Sequence, residues 1–272
     1  MPPTYLYGKE RALKNIFKKL ENVQKIFLFL DYDGTLVPIR KLPALAVISP
    51  ETRKLLRQLS EQKKITLVIS TGRAHADINR LLGLKNLTIV SNHGFQIHYK
   101  DKTWVHPQVN KMLPLLNELS RKLNALGKSI NSVLVENKKY TVTVHYRNVP
   151  VDQINVAKNL VASMSEKYFS FVKITRGKKV LEIRPNIVWN KGLAVQKVLR
   201  IYHAQKKKYS AVYIGDDTTD EDAFKVLGRN SLTVKVGSSK KTLAKYFVRN
   251  TDEVLQFLKI IVNGNYQWNS DG

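Results

Sequence analysis

The chain has 272 residues, 43% of them hydrophobic and 9% aromatic, which is enough to bury a full core and excludes a disordered protein. It contains no cysteine, which excludes disulfides, thiol chemistry and a cysteine-ligated zinc site. The net charge of +25 is spread along the chain with no nucleic-acid-binding motif and no apolar run of bilayer length. It reads as a solvated basic surface favouring anionic substrates, with no specific nucleic acid and no membrane as partner.

Leu13, Ile16, Phe17 and Leu20 recur at helical spacing among lysines. That is not the pattern of a secretory signal, so a cytoplasmic location is the default. The spacing predicts a helix over 10–23, then an apolar strand over 26–30 that stops at Asp31. Ser49 is placed to cap a helix with Pro50 in its first turn. An apolar strand at 65–70 stops at Thr71-Gly72. A helix over 74–82 follows, and a strand at 87–90 runs into Ser91-Asn92-His93-Gly94. The middle reads differently. Helices at 111–126 and 151–168 flank strands at 133–136 and 140–147, with Lys138 and Lys139 in a hairpin turn. Strands at 171–175 and 180–184 are joined through Arg176-Gly177-Lys178. Then a helix over 190–203, with Lys191 at its start, precedes a strand at 211–214 that ends at Gly215-Asp216-Asp217. A strand at 232–236 and a helix over 252–262 complete the pattern.

This alternation implies an α/β fold with a mainly parallel sheet covered by helices, in which ligands bind at the carboxyl ends of the strands. Each polar motif falls at such an end. The middle implies a separate α+β insert, giving a core of 1–107 and 187–272 and a cap of 108–186. The chain is expected to be a monomer.

Asp31-Tyr32-Asp33-Gly34-Thr35-Leu36 is the central motif. Residues i and i+2 at a strand end share a side, so Asp31 and Asp33 can converge on one group. Asp-Gly often merely ends a strand, but here companions follow in order. Thr71-Gly72 offers a hydroxyl and amides for a phosphoryl oxygen, Lys191 a positive charge, and Gly215-Asp216-Asp217 further carboxylates. Clustered acids need a counter-charge, and an all-oxygen set suits magnesium.

Together these motifs resemble the haloacid dehalogenase (HAD) phosphatases. More closely, Asp31-Tyr32-Asp33-Gly34-Thr35-Leu36-Val37-Pro38-Ile39, Asn92-His93-Gly94 and Gly215-Asp216-Asp217-Thr218-Thr219-Asp220-Glu221-Asp222-Ala223-Phe224 look like the trehalose-6-phosphate phosphatases. The resemblance implies a Rossmann-like HAD core with an inserted cap of type C2. It implies a magnesium-dependent phosphatase that hydrolyses trehalose 6-phosphate to trehalose and phosphate through an aspartyl-phosphate on Asp31, with Asp33 as acid and then base. The resemblance also implies that Mg2+ is held by the side chains of Asp31 and Asp216 and the main-chain carbonyl of Asp33, while Asp217 and Asp220 orient that shell or bind through water. Thr71 and Lys191 would stabilise charge on the phosphoryl group. In the cap, Glu136, Lys138, Arg147, Lys178 and Glu182 are carried over as holding the sugar hydroxyls, and Asn92 and His93 as bordering the pocket.

Other readings stay open. The cap residues could form a solvated sheet face with weak cross-strand pairs. His145 alternates with Val144 and reads as packing. Arg73 could pair with a core carboxylate or reach substrate. Trp104 and Trp189 read as packing residues at the core–cap seam. The enzyme rival is a related phosphatase for sucrose phosphate, a glucosyl or mannosyl glycerate or glycerol phosphate, or a hexose phosphate. From another class, a non-catalytic basic binding module is opposed by the intact set of acids.

Overall fold

The computed structural model describes residues 2–8, 10–177, 179–206, 208–228, 231–239 and 241–263. In chain order the elements are β1 (Thr4–Tyr5), α1 (Glu10–Glu21), β2 (Lys25–Asp31), α2 (Pro50–Glu61), β3 (Ile65–Ser70), α3 (His75–Leu82), β4 (Thr88–Ser91), β5 (Gln96–Tyr99), β6 (Lys102–Val105), α4 (Pro107–Lys111), α5 (Leu113–Gly127), β7 (Leu134–Asn137), β8 (Val142–His145), α6 (Ile154–Glu166), β9 (Val172–Gly177), β10 (Val180–Pro185), α7 (Lys191–Ile201), β11 (Tyr209–Gly215), α8 (Glu221–Leu227), β12 (Leu232–Val236), β13 (Tyr246–Val248) and α9 (Thr251–Asn263). They form two compact units, Met1–Thr103 with Asn190–Gly272, and Trp104–Trp189.

The first unit is built on a sheet of order β1-β13-β12-β11-β2-β3-β4-β5-β6. Pairing is parallel from β1 to β4 and antiparallel between β4 and β5. The central strands are buried on both faces: every residue of β3, and Ile26 to Asp31 of β2. Near-continuous apolar runs such as Ile26-Phe27-Leu28-Phe29-Leu30 are what a helix-covered parallel strand requires. From β2 the chain winds one way through β3 and β4, and later the other way through β11, β12 and β13. The strand order therefore switches at β2, and in open α/β sheets ligands bind at the carboxyl ends of the strands at such a point. Ser49 caps α2 by accepting the Thr52 N–H at 3.0 Å. Pro50 sits in the first turn, and α2 buries Leu55, Leu56 and Leu59. Each such leucine contributes about 1.5–3 kcal/mol of burial.

The second unit is an antiparallel sheet of order β7-β8-β10-β9. Leu116, Leu119 and Leu123 of α5 and Ala157 and Val161 of α6 pack on Val142, Val144, Leu181 and Ile183. Because strand side chains alternate, the opposite face carries Glu136, Thr143, Glu182 and Thr175, which are in register across all four strands. The rings of Trp104 and Trp189 lie 5.3 Å apart, and His106 lies 4.7 Å from Trp189.

Several elements differ from the sequence expectation. The helix expected over 111–126 is split at Met112 into α4 and α5, where Pro114 removes an N–H and disfavours continuation through the residue before it. Residues Val151–Gln153 form a 3-10 turn ahead of α6. Strands β1, β5, β6 and β13 were not expected. They run two to four residues each, too short to show a period.

Candidate active site

Asp31 is the last residue of β2, in register with Ser70 at the end of β3, and β11 on its other side ends at Gly215. The chain then turns sharply, with the Gly34 N–H donating to Val37 O at 2.7 Å. Gly34 has φ +85°, and a Cβ there would lie 2.2 Å from Asp216 Oδ2. Only glycine lets this turn lie against Asp216. The result brings carboxylate oxygens of Asp31, Asp216 and Asp220 within 4.8 Å of one another.

Lys191 is the first residue of α7, whose start is capped by Asn190 accepting the Leu193 N–H at 2.9 Å. Its Nζ donates to Asp31 Oδ1 and to Asp220 Oδ1, both at 2.7 Å. Burial opposes its charge, but Asp220 and Asp31 outweigh burial and hold its pKa well above the lysine value. The Asp31 pKa is pushed well up, chiefly by burial; Asp220 and Asp216 push the same way against Lys191. Three carboxylates thus crowd together, with the Lys191 ammonium bonded to Asp31 and Asp220. A hard divalent cation fits such a set of oxygen donors.

Asp220 is held from several sides. Its Oδ1 also accepts the Tyr213 hydroxyl at 2.8 Å, and its Oδ2 accepts the Asp217 N–H at 2.9 Å. A Cβ on Gly215 would lie 2.4 Å from Asp220 Oδ2, so glycine is needed there for close approach. Burial, and then the Asp220 charge, keep the Tyr213 proton on. The Asp217 side chain caps the turn leading into α8, accepting the Thr218 N–H at 2.7 Å. From β12, Lys235 Nζ donates to Asp216 O at 2.7 Å and Asp217 O at 3.1 Å. Sequence reasoning missed Lys235 and Tyr213. A lysine inside the apolar strand Leu232-Thr233-Val234-Lys235-Val236 is itself a signal, since a buried ammonium needs partners.

Asp33 lies in the turn with its side chain 39% exposed. Arg73 forks onto it, Nε to Oδ2 and Nη2 to Oδ1, both at 2.7 Å. The same guanidinium reaches Asp77 Oδ2 at 2.6 Å and Pro43 O at 2.9 Å, and lies 5.3 Å from the Tyr32 ring centre. Of the two readings of Arg73, pairing with a core carboxylate is the one observed. Thr71 is buried, and its hydroxyl oxygen accepts the Arg73 N–H at 3.1 Å. Asn92 and His93 brace this loop through their backbones: the Asn92 N–H donates to Arg73 O at 2.8 Å and the His93 N–H to Thr71 O at 3.0 Å. Both have φ in the left-handed region, 50° and 54°, a strain of about 1–3 kcal/mol each that the surrounding pairing must hold.

In the second unit three expected residues meet. Lys138 Nζ lies 3.6 Å from Glu182 Oε1 and 3.9 Å from Glu136 Oε2. Two unexpected residues join them. His145 Nε2 is 3.1 Å from Glu136 Oε2, and Arg184 pairs with Glu182 Oε2 through Nε at 2.6 Å and through Nη2. His145 therefore does more than pack. Arg147 is half-buried in the turn after β8. Lys178 lies outside the described residues.

Comparison with known proteins gives a consistent family. The family model described as trehalose-phosphatase matches residues 29–252. Trehalose 6-phosphate phosphatase RA3 of Zea mays is 35% identical over 257 residues, covering 88% of this chain and 70% of that protein. A solved structure described as a trehalose-6-phosphate phosphatase related protein superposes with a TM-score of 0.77 at 26% identity, over 87% of this chain and 97% of that one. A haloacid dehalogenase-like hydrolase from Bacteroides thetaiotaomicron shares the fold, with a TM-score of 0.59 at 17% identity over 87% of this chain and 99% of that one. The parallel-sheet unit with its inserted antiparallel unit is thus the HAD-type hydrolase fold. No helix among the described residues is long and apolar enough to cross a membrane. The chain belongs to the trehalose-phosphatase family, a family of phosphoric monoester hydrolases.

Proposed function

We propose that this chain hydrolyses trehalose 6-phosphate to trehalose and phosphate, using Mg2+ and an aspartyl-phosphate on Asp31, as a cytoplasmic monomer. The observation that carries the reading is the buried strand-end carboxylate of Asp31, tied to the buried Lys191 and grouped with Asp216 and Asp220. Asp31 attacks phosphorus, and the bond to the sugar oxygen breaks. Asp33 gives that oxygen a proton, then takes one from the water that attacks the phosphoryl group and frees Asp31. Asp33 starts in the Arg73 fork, which takes one lone pair on each oxygen and leaves the other for proton exchange. Thr71 and Lys191 meet the charge on the phosphoryl oxygens.

The side chains of Asp31 and Asp216 and the main-chain carbonyl of Asp33 would hold the ion, with Asp217 and Asp220 orienting them. Bound there, Mg2+ supplies charge neutralisation to the transferring group. Residues 108–186 form the cap, where Glu136, Lys138, Arg147, Lys178 and Glu182 hold the sugar hydroxyls, and Asn92 and His93 border the pocket. The grouping of Glu136, Lys138 and Glu182 supports this, because rigid polar sites discriminate strongly between hydroxylated ligands.

A panel of phosphate esters in the presence of magnesium tests the assignment. Trehalose 6-phosphate should give the highest kcat/KM. Equal or faster turnover of sucrose 6-phosphate or glucose 6-phosphate would move the chain to a related sugar phosphatase activity.

A further inference from the structure

Asp220 belongs to the group of carboxylates that could hold a cation, yet three donors already claim it. Oδ1 accepts Lys191 Nζ at 2.7 Å and the Tyr213 hydroxyl at 2.8 Å, and Oδ2 accepts the Asp217 N–H at 2.9 Å. A carboxylate oxygen offers about two lone-pair directions, so Oδ1 is filled. The phenol has one proton and an ionised carboxylate only accepts, so that proton goes to Asp220. Ser70 Oγ lies 3.3 Å from the same phenol oxygen. The Tyr213 ring is fully buried, stacked on Phe29 at 6.0 Å and met edge-on by Phe224 at 5.7 Å. Packing against these two rings fixes where the hydroxyl points.

We propose that Tyr213 is a positioning residue that locks Asp220 onto Lys191 and withholds its Oδ1 from the metal. The proposal deepens the phosphatase reading above and rests on it. With Oδ1 engaged, Lys191 is pinned between two acids with its ammonium at Asp31. With the phenol oxygen removed, one position on Oδ1 opens inside a buried site. Asp220 can then turn toward the cation. A third carboxylate ligand tightens metal binding, since affinity rises with ligand charge, while Lys191 loses its fixed partner.

Tyr213→Phe keeps the ring and its packing and removes only the oxygen. Two readouts separate the proposal from a merely structural role. The first is a magnesium titration of metal-free protein followed by thermal melting, with no substrate present. The second is kcat and KM with trehalose 6-phosphate. The variant should bind magnesium more tightly than wild type. Its kcat should fall about 10–100-fold, the usual cost of losing a partner that orients a metal-site residue, with KM little changed. Ser70→Ala, which removes the more distant contact of the same phenol, should shift both readouts in the same direction by less. It carries the test should Tyr213→Phe fail to fold.

Unchanged or weaker magnesium binding, or wild-type kcat, overturns the proposal. A structural role alone would lower melting temperature without moving affinity and kcat in opposite directions. A wild type that binds magnesium but does not cleave trehalose 6-phosphate would contradict the substrate assignment, and the titration would still judge Tyr213. A wild type with no magnesium response overturns both.

Discussion

Arg73 donates both Nε and Nη2 to Asp33 and holds its own place through Asp77, Pro43 O and the Tyr32 ring. A planar fork fixes both oxygens of a carboxylate, whereas lysine offers a point charge on a flexible stem. Arg73→Lys therefore keeps the charge and loses the orientation. The expected outcome is a kcat about 10–100-fold lower with KM within about twofold, the size typical of losing a positioning contact. Wild-type kcat in Arg73→Lys would show that the fork does not aim Asp33. Asp31, Asp216 and Lys191 were legible as a group because each stands at a strand or helix end where the pattern breaks. Arg73 was legible as one of two alternatives, being three residues past a buried strand. Tyr213 was not, because it lies inside an apolar run and reads as core, and Lys235 signals only that an ammonium there needs partners, not which ones. Only the pairing of β11 with β2 and of β11 with β12 brings them to the acids.

In the antiparallel sheet, alternation marked a strand but not its faces: His145, read as packing, lies 3.1 Å from Glu136. The order β7-β8-β10-β9 is a non-local fact that alternation does not contain, so His145 and Arg184 could not be placed beside Glu136 and Glu182. The same limit explains β1 and β13, whose pairing joins Thr4 to Tyr246 across nearly the whole chain. Glu182 is the hub of the polar row, buried and bonded to Arg184 and within reach of Lys138 and Thr143. Glu182→Ala should lower kcat/KM for trehalose 6-phosphate far more than for p-nitrophenyl phosphate, because only the disaccharide presents hydroxyls to be matched. Equal losses on both esters would remove the row from the sugar site.

At the scale of the whole molecule, the parallel unit was legible from its strand–helix alternation, and the insert from its change of pattern. Pro107 and Pro185 stand near the two transitions in the sequence, while the compact units divide a few residues outside them, at Thr103/Trp104 and Trp189/Asn190. Ring packing among Trp104, His106 and Trp189 gathers both flanks into the second unit, a contact between distant residues that punctuation by proline does not reveal. The net charge of +25 favours encounter with a phosphorylated substrate and is screened over about 8 Å at physiological salt. Within that basic surround, the switch point at β2 gathers three acids around Lys191, a set of oxygen donors that suits a divalent cation.

The most direct measurement is phosphate release from trehalose 6-phosphate by metal-free protein titrated with magnesium, wild type beside Asp31→Asn. The account predicts no release without metal, release restored by magnesium in the wild type, and none at any magnesium concentration in the variant. Full release from the chelated wild type, or equal release from Asp31→Asn, would contradict it.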